Sequence, residues 1–106
     1  MSMSDYQKVA KVSEVDDSTI RLVETEDRLV ILMRVDGKYH CIDDVCTHDG
    51  GTLSDGELEG CRIACPRHGA EFDIRNGKAL TMPATEATGS HEVKVDGDDI
   101  YVKITE

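Results

Sequence analysis

Two short stretches of the chain carry side chains able to bind metal. The first reads Val45-Cys46-Thr47-His48-Asp49-Gly50-Gly51, and the second Cys65-Pro66-Arg67-His68-Gly69-Ala70-Glu71-Phe72. Each supplies one thiolate and one imidazole, Cys46 with His48 and Cys65 with His68, and sixteen residues separate His48 from Cys65. Thiolates are soft donors that suit iron–sulfur clusters and zinc. A neutral imidazole is a weaker donor and adds no negative charge, so a cluster held partly by histidine is easier to reduce than one held by thiolates alone. A Cys-x-His spacing does not readily wrap one ion, but it lets one loop reach two neighbouring irons. The expected centre is a [2Fe–2S] cluster with Cys46, His48, Cys65 and His68 as ligands. The alternative is a Cys2His2 zinc site in a zinc-stabilised interaction module, since zinc takes the same donors. Zinc fingers place a helix between or after the ligand pairs, and no helical periodicity is found here.

These loops need a scaffold, and the rest of the chain reads as short strands between turns. Residues 6–12, 19–25, 28–35 and 38–43 read as four strands, with the run from Leu29 to Met33 expected to be the most buried. Asp36-Gly37 is the strongest hairpin signal. Residues 52–60 read as turn-rich, and 61–64 as a short strand feeding the second loop. Residues 72–74 leave that loop as a strand, Asn76-Gly77 turns the chain, and 78–80 return as a strand. A connecting loop, 81–90, precedes strands over 91–95 and 100–104, joined by a turn at 96–99. Many short strands at close spacing with almost no helix predict an all-β fold of stacked antiparallel sheets, a sandwich or barrel. No internal repeat or interdomain linker is evident.

Composition limits the functions available. With 106 residues and 39% hydrophobic content, the chain suits one domain, 1–106, with a modest core. Phe72 and three tyrosines are its only aromatic residues, so a metal centre would support a thin core near the loops. A formal net charge of −10 argues against nucleic-acid partners and anionic membranes, and favours a partner with a basic docking face. No apolar run approaches the length of a membrane span and the first residues are polar, so the protein is expected in the cytoplasm. Four cysteines there suggest metal or free thiols rather than a disulfide frame.

The sequence resembles the Rieske-type ferredoxins of bacterial ring-hydroxylating oxygenase systems over nearly its whole length, from about Tyr6 to Lys103. The resemblance is carried by Cys46-x-His48 and Cys65-x-x-His68 and supported by Gly50, Gly56, Pro66, Gly69, Phe72, Asn76-Gly77 and Pro83-Ala84. It implies stacked antiparallel sheets with a small two-loop cluster-binding subdomain at about 44–82. It also implies exposed edges of His48 and His68, and single-electron transfer with no catalytic site of the protein's own. The partners it implies are a flavin-dependent ferredoxin reductase and a terminal oxygenase. A Rieske-like small subunit of a nitrite reductase or other oxidoreductase complex is the alternative. The high-potential Rieske proteins of respiratory complexes carry an extra cysteine in each loop, joined as a disulfide, where this chain has Gly51 and Arg67. They also carry a serine and a tyrosine that bond cluster sulfurs, where this chain has Ala70 and Phe72. The departures place the chain with the low-potential branch.

The remaining candidates have ordinary readings. Cys41 and Cys61 are expected as small buried cysteines in strands flanking the loops. His40 and His91 are expected as surface or satisfied core histidines, and Arg67 as a solvated loop charge, with a docking or potential-tuning group as the alternative. Pro83 is expected in a loop covering the cluster.

Overall fold

The computed structural model describes residues 6–25, 28–45, 51–66, 69–82 and 86–104. Its nine strands are β1 (Tyr6–Lys11), β2 (Ile20–Glu24), β3 (Leu29–Val35), β4 (Lys38–Asp43), β5 (Glu57–Glu59), β6 (Arg62–Ala64), β7 (Glu71–Asp73), β8 (Ser90–Asp96) and β9 (Asp99–Lys103). Apart from one 3-10 turn at Val12–Glu14, no helix occurs among the described residues.

The strand β3 separates two cores. A strand buried on both faces needs a near-continuous apolar run, because its alternating side chains point opposite ways. Val30, Ile31, Leu32 and Met33 are all fully buried, as expected, but Leu29, which opens the run, is 44% exposed. Ile31, Met33 and Val35 enter one core with Ile42, Leu53, Ile63, Cys65, Ala70, Phe72 and Ile74. Val30 and Leu32 enter the other with Ala10, Val15, Val23, Cys41, Ile100 and Val102. The antiparallel register Ile31↔Ile42 and Leu32↔Cys41 extends the same division to β4. At the β3–β4 hairpin Asp36 and Gly37 both take positive φ, 52° and 78°, as a two-residue turn matched to strand twist requires.

Six strands form one sheet in the order β1-β9-β8-β4-β3-β2, and three form another in the order β5-β6-β7. The strand β8 joins the halves of the larger sheet. Its first residues pair with β4 (Cys41↔His91, Ile42↔Ser90), and its remainder pairs with β9 from Glu92↔Lys103 to Asp96↔Asp99. The switch lets β1 and β9 fold over one face of β3 and β4, enclosing the second core. The small sheet covers the other face, with Ile63 and the fully buried Phe72 paired across β6 and β7. Stacked antiparallel sheets are thus present as expected.

Three local expectations need correction. Residues 57–59, read as turn, form β5, which pairs with β6 through Leu58↔Ile63. One apolar residue between two glutamates gives no strand signal of its own; Leu58 packing on the first core supplies it. Residues 78–80, read as a strand, return beside β7 for a single bridge, Phe72↔Ala79. The Thr81 hydroxyl accepts the Glu71 N–H (2.9 Å) and ends the ladder there. Cys61, read as part of a strand, lies in the turn before β6 and is only half-buried.

Candidate metal centre

The first loop leaves the end of β4, where two adjacent carboxylates point to opposite sides. Asp43 faces the large sheet. One of its oxygens lies 2.7 Å from His91 Nε2 and the other accepts from Arg28 Nη1 at 3.3 Å. His91 is therefore a satisfied core histidine, as expected. Asp44 faces the small sheet and is 5% exposed. Its Oδ1 accepts the backbone N–H groups of Leu53 and Ser54, both at 2.7 Å. Its Oδ2 accepts the Ser54 hydroxyl at 3.2 Å. A buried charge is tolerated only when its oxygens are hydrogen-bonded, and these are. The effect is to tie the two ends of the 45–52 segment together, with fully buried Leu53 anchoring the far end in the core.

The second loop is closed by its own backbone. The Cys65 N–H donates to the Ala70 carbonyl at 2.7 Å, and the Gly69 N–H donates to the Cys65 carbonyl at 3.0 Å. Gly69 has φ of +73°, a conformation that glycine adopts without a steric penalty. Beyond the loop, Asp73 at the end of β7 grips Arg75. The guanidinium donates through Nε to Oδ1 (3.0 Å) and Nη2 to Oδ2 (2.8 Å), and the Arg75 N–H also bonds Oδ1 (2.9 Å). The Arg75 side-chain bonds hold the Asp73 carboxyl below the usual carboxylate range, although burial opposes them. Burial, with Arg75 adding to it, lowers the pKa of His40.

Of the four expected ligands, Cys65 is described. It is a free thiol, 2% exposed, in the same core as Ala70 and Phe72. Beside it opens a cleft of about 370 Å³ lined by Asp55, Gly56, Glu57, Ala64, Cys65, Pro66 and Gly69. Cys46, His48 and His68 lie outside the described residues, as do Arg67 and Pro83. Among the described residues no group of three or more His, Cys, Asp or Glu side chains is gathered to hold a metal ion. The donor chemistry nevertheless fits a thiolate-bound cluster. A buried thiol with no disulfide partner sits on a tight loop, and a second loop bearing Cys46 and His48 starts and ends at the Asp44 clamp. Cys41 has different surroundings: burial, with Asp43 adding to it, pushes its thiol up to about 12, which keeps it protonated and inert.

Residues 5–102 match the family described as the Rieske [2Fe-2S] domain. The chain belongs to the Rieske family. It is 33% identical over 92 residues to the ferredoxin component of the naphthalene 1,2-dioxygenase system of Pseudomonas aeruginosa, covering 87% of this chain and 88% of the relative. It is 38% identical over 100 residues to the 3-phenylpropionate/cinnamic acid dioxygenase ferredoxin subunit of Photorhabdus laumondii, covering 92% and 93%. Among solved structures, it superposes with a TM-score of 0.88 on a chain in the complex of reduced oxygenase and oxidized ferredoxin of carbazole 1,9a-dioxygenase. That match is 33% identical and covers 95% of this chain and 97% of the other. The Sphingomonas yanoikuyae B1 ferredoxin gives a TM-score of 0.84 at 30% identity, covering 94% and 97%.

The Rieske assignment makes the cofactor a [2Fe–2S] cluster and the protein an electron carrier rather than a catalyst, as the sequence led us to expect. It also exposes what sequence reasoning missed. Asp44 ties the far end of the first loop to β4, Asp43 beside it bonds His91 and Arg28, and Asp73 holds Arg75 after the second loop; the sequence reading names none of them as a site residue. For Asp43 and Asp44 the one signal is a pair of carboxylates closing an apolar strand, Ile42-Asp43-Asp44-Val45; Asp73 has none.

Proposed function

We propose that this Rieske protein is the ferredoxin of a dioxygenase system, taking single electrons from a flavin-dependent ferredoxin reductase and passing them to a terminal oxygenase in the cytoplasm. The observation that carries this reading is likeness along nearly the full length of ferredoxin components, from both sides of the alignment. The chain reads as one domain, 1–106, with the cluster-bearing tip at about 44–82. In this reading Cys46 and Cys65 hold one iron, and His48 and His68 hold the other. A bound cluster of this kind accepts and releases one electron. The chain's own residues do the rest. Buried Cys65 keeps its thiolate from solvent, and the hydrogen bonds at Asp44 and at Cys65, Gly69 and Ala70 fix the described ends of the two ligand stretches. The acidic surface, with its net charge of −10, steers the protein to a basic partner face. The side chains at 70 and 72 withhold hydroxyl donors from the cluster, which keeps its potential at the low end of the Rieske range.

Iron and acid-labile sulfide per chain, with the paramagnetic resonance spectrum of the reduced protein, test the cofactor and ligands. A colourless protein holding one zinc after iron-replete anaerobic expression would end this reading. Stopped-flow reduction by a flavin-dependent ferredoxin reductase tests the partner. The rate is expected to fall as ionic strength rises, because salt screens steering between opposite charges. A rate that is flat or rises with salt removes the docking role of the acidic surface.

A further inference from the structure

We infer that Asp44 is a positioning residue for the cluster: its buried carboxylate closes the first ligand loop, and its charge helps set how readily the centre takes an electron. This rests on the reading that Cys46 and His48 are ligands. The closure is direct. The carboxylate belongs to the residue just past β4, and among the described residues its three hydrogen bonds all reach across to Leu53 and Ser54. The two ends of the eight-residue stretch between, 45–52, are thereby tied to each other. Leu53 is fully buried beside the small sheet, so the far end cannot drift once the clamp is made.

The charge calls for its own explanation. Among the described residues, every hydrogen-bond partner of Asp44 is neutral: two backbone N–H groups and one hydroxyl. Asp43, one residue earlier, differs in having the Arg28 guanidinium 3.3 Å away. An asparagine could make the same bonds as Asp44, accepting both N–H groups on its carbonyl and donating its amide to Ser54, without burying a charge. Two residues of backbone span at most about 7 Å, so Asp44 and the thiolate-bearing Cys46 share one neighbourhood whatever the loop's path. A negative charge there opposes the addition of an electron and holds the potential down.

The substitutions Asp44→Asn and Asp44→Ala separate geometry from charge. Each variant and the parent would be compared for iron and sulfide per chain, cluster half-life against a chelator, resonance g values and reduction potential. Asp44→Asn should hold as much cluster as the parent and be easier to reduce, by up to tenfold in equilibrium constant, which is about 59 mV for one electron. Asp44→Ala should lose its cluster roughly tenfold faster than the parent. Ser54→Ala removes only the hydroxyl contact, and should lose cluster faster than the parent but slower than Asp44→Ala. Val102→Ala, a cavity in the other core, should lower the melting temperature and leave g values and potential unchanged, which distinguishes positioning from general destabilisation. If Asp44→Ala fails to fold, Asp44→Asn and Ser54→Ala still decide. An Asp44→Asn protein with the parent's potential overturns the charge role. A folded Asp44→Ala with the parent's cluster lifetime, or Ser54→Ala no different from the parent, overturns the clamp. A parent that holds zinc and no sulfide defeats the ligand reading itself, and is seen before any variant is made.

Discussion

The two loops beside the three-stranded sheet do the same job with different bonds. The second is closed by main-chain hydrogen bonds between Cys65, Gly69 and Ala70. The first is closed by one side chain, the Asp44 carboxylate, acting across eight residues. Main-chain closure depends on backbone conformation and tolerates most side-chain changes. Side-chain closure fails with a single substitution, but it also brings a charge to the site. One closure thus rests on main chain alone, and the other on a side chain whose charge a substitution can remove.

The largest effects should ignore this difference. Cys46→Ser and Cys65→Ser each remove a thiolate, and both should abolish cluster assembly however their loops are closed. His48→Cys and His68→Cys retain a donor, so a cluster is expected to assemble with a lower potential. Cys41→Ser and Cys61→Ser should leave the cluster intact. Iron and sulfide per chain measure all six. A folded Cys61→Ser protein without iron would show the ligand set to be wrong.

Next in size is Gly69→Ala. Among the described residues beyond its chain neighbours, a Cβ at Gly69 would meet no atom within 4 Å, so the variant tests backbone conformation. Left-handed backbone costs a side-chain-bearing residue roughly 1–2 kcal/mol. Cluster half-life should shorten while the far core, followed by hydrogen exchange at Ile100 and Val102, stays protected. Equal protection loss in both cores would mean that the second loop is not a locally closed unit.

Much of this was legible in the sequence, for reasons the two loops illustrate. The apolar run from Leu29 to Met33 marked the most buried strand, and Asp36-Gly37 gave the strongest hairpin signal. The Cys/His spacing named the cofactor family. Glycine at 69 advertised a sharp turn in the second loop. What was not legible depends on pairing across distance. Leu58 becomes part of a strand only because Ile63 lies opposite it. Asp44 is a clamp only because the chain brings Leu53 and Ser54 back to it. A carboxylate in a sequence reads as surface charge until its partners are known.

Smaller effects should follow from restoring hydroxyl donors after the second loop. Ala70 and Phe72 are both fully buried in the core that includes Cys65. A hydroxyl donating to a cluster sulfur favours the reduced, more negative state. One net hydrogen bond is worth about 0.5–1.5 kcal/mol, and a tenfold change in a one-electron equilibrium is about 59 mV. Ala70→Ser and Phe72→Tyr should each raise the potential by several tens of millivolts, read by spectroelectrochemical titration. If both hold the cluster at an unshifted potential, missing hydroxyls do not explain a low potential, and the charge at Asp44 becomes the stronger account. A parent potential above about +200 mV, high in the Rieske range, would contradict the low-potential branch altogether.

The smallest effect concerns the carboxylate that follows the second loop. Asp73 is 6% exposed and Arg75 grips it, whereas the partners of Asp44 among the described residues are neutral. Because the Arg75 bonds hold the Asp73 pKa below its unfolded value, the pair stabilises the fold fully above the ordinary carboxylate range, about 3.9, and that contribution is lost as pH falls through the lower folded pKa. His40 adds an earlier loss of the same sign. Its folded pKa is also lowered, so stability declines once pH drops below about 6.5, where an unfolded histidine takes up a proton that the folded one resists. Asp73→Asn should therefore melt slightly below the parent at neutral pH, with the difference narrowing through the carboxylate range and vanishing at more acid pH. The effect is small because the Arg75 end of the pair is exposed and solvent screens it. Thermal melts of parent and variant from neutral to acid pH measure it, with His40→Gln removing the decline that begins near pH 6.5. A difference that persists unchanged to the most acid pH would mean that Asp73 acts through its shape and its backbone bond to Arg75, making the return from the second loop, like its closure, a matter of main-chain geometry.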